Sequence, residues 1–532
     1  MSVPTKVKVR YSLYELQEFY NSGNQQPLND LLNAWIGIKL LLPPDLNSFF
    51  ILGGYHAEPF EGQGQSDPKY WGGYCNHGNV LFPTWHRMYM LRVEQALQSI
   101  VPGVMMPYWD ETSDESMQKG IPTILTDEQV LLNGVMVDNP LRSYKLAGPV
   151  FDGVKGDGNL YTKPKGYETV RYPLSGLVST ATAIQKTKKH NNQYTNPVQN
   201  TVLLNKNVRA WLNSGTPEPG DTPLPPAKTG VAYAFYRCLD APNYTTFSNT
   251  TSSAAWSKLN PGPSVVALET PHNDIHLSVG GFDFGGDESG LIAGANGDMG
   301  ENNTAGFDPI FYFHHCNIDR MFWLWQIKHN KTNNFDIIPH YPGTNASGKG
   351  QGPAVGQQKN EELTMDSPLF PFLMDPAAPA SLYTSRDCIN IETQLGFTYS
   401  DGSLAGDAVL AGLRSTAALS AKTLDESDEQ PCRKLEASGI NRSLFRGSFV
   451  IRAYAQIDTK RHYLGHHSVL SRGNVANCTN CQTHLDISAY FDLDGFSGND
   501  IQNATFSIEI HHRGHDGKDL PKALNYTLKV ID

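Results

Sequence analysis

A chain of 532 residues with 39% hydrophobic and 18% charged residues can bury a sizeable core and fits an ordinary globular protein of more than one domain. Its formal net charge of −11, with no long basic stretch, argues against a nucleic-acid binder. No apolar run is long enough to cross a bilayer; the nearest, Leu31–Leu42, is short and holds Asn33 and Lys39. The N-terminus lacks the uninterrupted apolar region of a secretory signal, and seven cysteines, an odd number in a long chain, suggest no disulfide framework. The expectation is a cytoplasmic protein made as a single chain.

In chain order, Leu13–Tyr20 and Leu28–Leu42 carry apolar residues at mixed three- and four-residue spacings and read as helices. Polar, Gly-rich Glu61–Gly73 separates His56 from YCNHGNVLFPTWHRMYMLRVEQALQSI. That segment turns helical from Pro83, with Met88, Leu91, Ala96 and Leu97 apolar, and should stop near Val101-Pro102-Gly103. Gly148–Gly230, rich in Gly, Pro, Lys and Asn, reads as long surface loops. A second helical region begins near Pro271 and a third at Asp308, and Pro339–Pro379 is again loop-rich. Leu395–Ser403 closes a first domain, residues 1–402. Ser403–Lys434, dominated by Ala, Ser, Leu and charge, reads as a linker.

From residue 435 to 532 the period changes to two. Phe449, Ile451, Ala453, Ala455 and Ile457 share one face; Phe506, Ile508 and Ile510 alternate likewise, as do Tyr526, Leu528 and Val530. The expected fold is mainly α, a helical domain with long loops followed by a C-terminal antiparallel β-sandwich.

Phe307–His329, FDPIFYFHHCNIDRMFWLWQIKH, is apolar on nearly every face and belongs in the middle of a core. Asp308 can cap it and Pro309 suits its first turn. Yet it carries His314, His315 and an Asp319-Arg320 pair, groups that need partners when buried. Alone, the two histidines read equally as core side chains held by hydrogen bonds. His272 and His276, four apart in ETPHNDIHLSVGG, would lie one turn apart on one helix face, although such a pair is often accidental. With His315 they make one triplet; His56, His77 and His86 make another. Six imidazoles without nearby carboxylate ligands suit two copper ions better than magnesium, calcium or a closed thiolate zinc site.

The segments YCNHGNVLFPTWHR, HNDIH and FDPIFYFHHCNIDR closely resemble the two copper-binding motifs of type-3 copper proteins, and among these the fungal-type tyrosinases and polyphenol oxidases. The resemblance covers about His56 to Tyr399 and, more loosely, the tail. It implies a helical-bundle dicopper domain in which His56, His77 and His86 hold the first copper and His272, His276 and His315 the second. It makes His314 and Asp308 supports of the ligands, Asp308 by orienting a ligating imidazole. It makes Cys75, two residues before His77, the sulfur of a thioether to that ring. Glu269 and Asn273 match the pair that holds a water for taking up the phenol proton. Thirteen residues before the last ligand, where relatives often carry an apolar gate over the second copper, stands Asn302.

In the tail, HSVLSR at His467–Arg472 resembles a plug loop, with Leu470 as the residue inserted over the coppers. Cys478 and Cys481 resemble a copper-delivery pair, a disulfide staying open as the alternative. The implied activity is O2-dependent ortho-hydroxylation of small monophenols and oxidation of o-diphenols to o-quinones. The C-terminal domain would hold the enzyme latent until a protease cuts the linker. A catechol or o-aminophenol oxidase without hydroxylation, and a hemocyanin-like O2 carrier, are the alternatives. The physiological phenol and whether the chain forms a homo-oligomer stay open.

Overall fold

The structure is a computed structural model, and it describes residues 7–56, 74–152, 160–215, 222–223, 229–282, 292–345, 358, 361–401, 433–471, 485–513 and 520–531. The helical part opens with strand β1 (Lys8–Arg10) and helices α1 (Leu13–Asn21), α2 (Gln26–Leu40) and α3 (Phe82–Ile100). The other principal elements of this part are α4 (Pro197–Ser214), strand β2 (Thr222–Pro223), α5 (Glu269–Gly280), α6 (Ile310–Lys328) and strand β3 (Phe397–Tyr399).

The helix boundaries follow local chemistry. Ser12 and Glu15 form a reciprocal capping box on α1. Helix α3 starts at Phe82-Pro83, where proline's missing N–H has no helical partner to lose. At α6 the capping expectation is met only in part: Pro309 is the boundary residue, and Asp308 Oδ1 accepts from the Ile310 N–H at 3.1 Å. Helix α3 packs against both α2 and α6, and α5 packs against α4. Trp35, Trp85, Trp323 and Trp325 are fully buried within this core.

The surface-loop reading of Gly148–Gly230 needs correction. Helix Ala181–Asn191 and α4 lie there, and Leu204, Val208, Trp211 and Leu212 join the main core. Their spacing of four and three residues is helical, but the polar residues between them mask it in composition. Asn196 accepts from the Gln199 N–H at 3.1 Å and caps α4.

A buried charge knot ties the two ends of the helical part together. Strands β1 and β3 pair in parallel, Arg10 against Tyr399. Asp319 on α6 accepts from Arg10 Nη1 at 3.3 Å, from Arg87 Nε at 2.5 Å and from Tyr399 Oη at 2.6 Å. Arg10 Nε also reaches Glu94 at 2.9 Å, and Arg87 Nη1 the Cys388 carbonyl at 2.8 Å. The arginine and aspartate side chains are fully shielded from solvent.

Past the linker, of which residues 403–432 lie outside the described residues, two sheets stack. The strands are β4 (Lys434–Asn441), β5 (Phe449–Ile457), β6 (Lys460–Val469), β7 (Asp486–Asp492), β8 (Thr505–His512) and β9 (Thr527–Ile531). One sheet has the order β8-β5-β6-β2, the other β7-β4-β9. The register puts Ile451 beside Ile510 and Ala453 beside Ile508. The predicted apolar face of β5 fills the sandwich core through Phe449, Ile451, Ala453 and Ala455. Its other face is buried too: Val450 belongs to the helical core, and Arg452 and Tyr454 are covered. The HSVLSR segment is mostly strand, since β6 runs to Val469 and only Leu470 and Ser471 lie beyond it among the described residues.

The β-sandwich is docked on the helical part by specific contacts. Strand β2, from the helical part, pairs in parallel with β6. Arg237 Nη1 lies 3.1 Å from Asp492 Oδ2, whose Oδ1 accepts from the Ser264 N–H at 2.8 Å. Lys434 Nζ donates to the carbonyls of Ser257 and Asn260, at 2.7 and 2.9 Å. His466 Nε2 lies 3.1 Å from Asp274 Oδ1, and Arg513 pairs with Glu301.

Candidate metal centre

Six of the histidines picked out from the sequence converge between α3, α5 and α6. His56 follows the short helix Phe49–Gly54, His77 lies in the loop before α3, and His86 sits one turn into that helix. The rings of His56, His77 and His86 are 5.1 to 5.6 Å apart, centroid to centroid. His272 and His276 lie on α5 and His315 on α6, with ring separations of 4.6 to 5.6 Å. The triplets face each other, His86 stacked on His315 at 4.7 Å. Phe311, one turn before His315, stacks on its ring at 3.9 Å and fixes its plane.

The surroundings fix the proton positions on four of these rings. Nδ1 of His56, His86 and His276 faces the backbone carbonyls of Asn302, Phe82 and Met299, at 3.3, 2.8 and 2.8 Å. Nδ1 of His272 faces Asn273 Oδ1 at 3.0 Å. A carbonyl oxygen only accepts, so each Nδ1 carries the hydrogen and each Nε2 presents a lone pair. The Nε2 atoms of His272 and His276 are 3.2 Å apart, and those of His276 and His315 are 3.3 Å apart. The facing lone pairs of His272 and His276 repel at that distance unless a cation lies between them, and neutral imidazoles of intermediate softness suit copper. These residues fit two copper ions.

Burial, followed by the proximity of the other imidazoles, pushes the His56, His86, His272 and His315 rings well below the ordinary imidazole range. Burial takes His276 down to about 3. They therefore stay neutral and ready to bind metal in mild acid. The same shifts weaken the metal-free fold. An unfolded imidazole takes up a proton below pH about 6.5 while the buried one does not, so stability is present above that pH and lost as pH falls. Each such ring removes about 1.4 kcal/mol per pH unit until its own folded range is reached. The urea midpoint of the apo-protein is expected to drop steeply between pH about 6.5 and 5; a flat profile would contradict this burial.

The supporting residues are arranged differently from expectation. Asp308 orients no imidazole: Arg171 holds both its oxygens, Nη2 to Oδ1 at 2.7 Å and Nε to Oδ2 at 2.8 Å. The carboxylate that meets His314 is Glu111, whose Oε1 lies 2.6 Å from its Nδ1. Nothing in the run Trp109-Asp110-Glu111-Thr112 marks which acid is buried, so no local signal pointed to it. Asn302 sits beside the first triplet, its backbone carbonyl facing His56 Nδ1 at 3.3 Å. Cys75 Sγ lies within 4.8 Å of ligand atoms of both His56 and His77.

Glu269 is buried in the first turn of α5. Its Oε1 accepts from the Gly78 N–H at 2.6 Å, and its Oε2 from Thr250 N–H and Oγ1 at 2.9 and 3.0 Å. It thus braces the residue after His77 against the helix carrying His272. Burial pushes its pKa up, against the pull of these donors. Asn273 also reaches the β-sandwich, Nδ2 to the Ser468 carbonyl at 3.5 Å. Leu470 packs partly buried against the helical core, and its carbonyl accepts from Arg442 Nη2 at 2.9 Å. Cys478 and Cys481 lie outside the described residues.

Comparison with known proteins agrees with this geometry. Residues 46–328 match the family described as the common central domain of tyrosinase. A tyrosinase of Hahella sp. is 50% identical over 567 aligned positions, covering 100% of both chains. A tyrosinase of Aspergillus oryzae is 40% identical, over 93% of this chain and 92% of that one. The solved structure of a tyrosinase from Burkholderia thailandensis at low pH superposes with a TM-score of 0.83 and 51% identity, covering 98% of this chain and 100% of the other. Two facing histidine triplets on a helical scaffold, and this likeness along the whole length, lead to one conclusion: the chain belongs to the tyrosinase family of dicopper oxidases.

Proposed function

We propose that this enzyme hydroxylates small monophenols at the ortho position and oxidises the resulting o-diphenols to o-quinones, with His56, His77 and His86 on one copper and His272, His276 and His315 on the other. The observation that carries the reading is the Glu269–Asn273 pair set against His272. The copper pair, when bound, supplies O2 activation. The chain's own task is to place the phenol and take its proton. Glu269 has roughly four lone-pair sites, three of them met by Gly78 and Thr250, so one remains to hold a water beside Asn273. Its raised pKa brings a carboxylate closer to the range useful for a general base. A thioether between Cys75 and His77 would stiffen the first triplet, and the placement of Sγ within 4.8 Å of a His77 ring nitrogen is in keeping with it.

The C-terminal domain, residues 435–532, serves as a shield. Strand β6 packs on α5 and Leu470 packs against the helical core, which supports a plug over the substrate approach. The linker 403–434 is the segment an activating protease would cut. The test of hydroxylation is Glu269→Gln, with copper content measured as a control. Monophenol turnover is expected to fall at least about 100-fold, the scale of general-base catalysis, while catechol oxidation by the copper-loaded variant persists. An unchanged ratio of the two activities would overturn the proposal in favour of a catechol or o-aminophenol oxidase.

A further inference from the structure

Glu111 has no part in the chemistry described so far, yet its carboxylate is completely buried in the helical core. A buried carboxylate is costly, and an apolar side chain of similar size would usually serve stability as well or better. Its partners are therefore informative. Oε1 lies 2.6 Å from His314 Nδ1, and Oε2 accepts from Asn317 Nδ2 at 3.0 Å. His314 and Asn317 are three apart on α6, so one carboxylate clamps both over a single helical turn. Asn317 is held in turn, its Oδ1 accepting from Arg320 Nη1 at 3.0 Å. The Trp109 N–H donates to the Phe313 carbonyl at 3.0 Å, which fastens the Glu111 loop to α6 beside the imidazole it grips.

The ring so held touches all three ligands of the second triplet. It stacks on His272 at 5.4 Å with a 25° tilt, and meets His276 and His315 edge-on at 5.3 and 5.0 Å. The ligand atoms of the four imidazoles lie within 4.8 Å of one another. His314 is a wedge between α5 and α6, and its position sets how those two helices present their ligands. Among the described residues its ring contacts with copper-ligand histidines are all with the second triplet; toward the first it acts only at longer range, on the His86 imidazole. We infer that Glu111 is a positioning residue for the second copper: it fixes His314, which fixes the second triplet and leaves the first alone.

The inference rests on the dicopper assignment of the six histidines, and its test separates the two. Cu(I) binding is measured by chelator competition in two half-site backgrounds, His86→Ala, which leaves the second triplet whole, and His276→Ala, which leaves the first. If the two backgrounds do not each hold one copper, the ligand assignment falls and the inference with it. Adding Glu111→Gln is expected to weaken Cu(I) binding about 10- to 100-fold in the His86→Ala background, the usual effect of removing a group that orients a ligand. In the His276→Ala background binding should change by less than about threefold, well short of that effect. Equal weakening in both backgrounds would mean a general structural role and overturn the inference, as would no weakening in either. Asn317→Ala, which removes the donor to Oε2 together with the acceptor of Arg320 Nη1 but leaves the Glu111–His314 contact, gives the same comparison should Glu111→Gln not fold; it is expected to reproduce the selectivity with a smaller loss.

Discussion

Asp319→Ala is expected to destabilise the helical domain by about 3–5 kcal/mol, the scale for removing one partner of a buried ion pair. The reason is that Asp319 stands between two cations. Without it Arg10 keeps Glu94, but Arg87 Nε loses its carboxylate in a site with no exposure, and Tyr399 loses the acceptor of its hydroxyl. Most of the cost is the stranded guanidinium and not the lost attraction. It follows that replacing Arg87 and Asp319 together by apolar residues should cost less than the sum of the single changes, and a denaturant-unfolding double-mutant cycle reads this directly. Additive effects would mean that Arg87 and Asp319 do not depend on each other. The same site predicts where damage appears first, since the knot joins β1, α3, α6 and β3 and loss of Tyr399's anchor frees the end of the domain.

The second large effect is on latency. Asp492→Lys removes a carboxylate that meets both Arg237 and the Ser264 N–H, and sets a cation against the arginine. Disrupting a hydrogen-bonded charge pair across an interface costs about 2 kcal/mol or more, enough to shift docking of the shield more than about tenfold. Catechol oxidation by the uncut variant should rise accordingly. A cut within the linker alone should do less, because β2–β6 pairing, Lys434 on Ser257 and Asn260, and the Arg237–Asp492 pair all survive it. Equal activity of the uncut wild type and Asp492→Lys would sink the shield; full activation by a single cut would show that the linker, and not the interface, holds it.

Much of this was readable in the residues themselves. The boundaries of α1 and α3, and the start of α5, came within about two residues because capping, proline and periodicity agreed there. The alternating faces of β5, β8 and β9 were visible for the same reason. What stayed hidden was set by tertiary contact. Helix α4 buries Trp211 behind a polar composition. The end of strand β6, His467–Val469, was read as part of a loop, although it is paired with β5. Asp308 looked like support for a ligand, yet Arg171, 137 residues away in sequence, claims it. Glu111 lies 203 residues from His314, and no local pattern can announce a partner at that distance.

The pairing of β2 with β6 has a consequence for what happens after release. Strand β2 covers the edge of a sheet that belongs to the other domain. Were the shield released, β6 would lose its cross-domain partner at His462 and Tyr463, a short edge open to pairing with other strands. Re-docking then has to compete with any other strand for that edge, which is expected to slow the closing of an enzyme once opened.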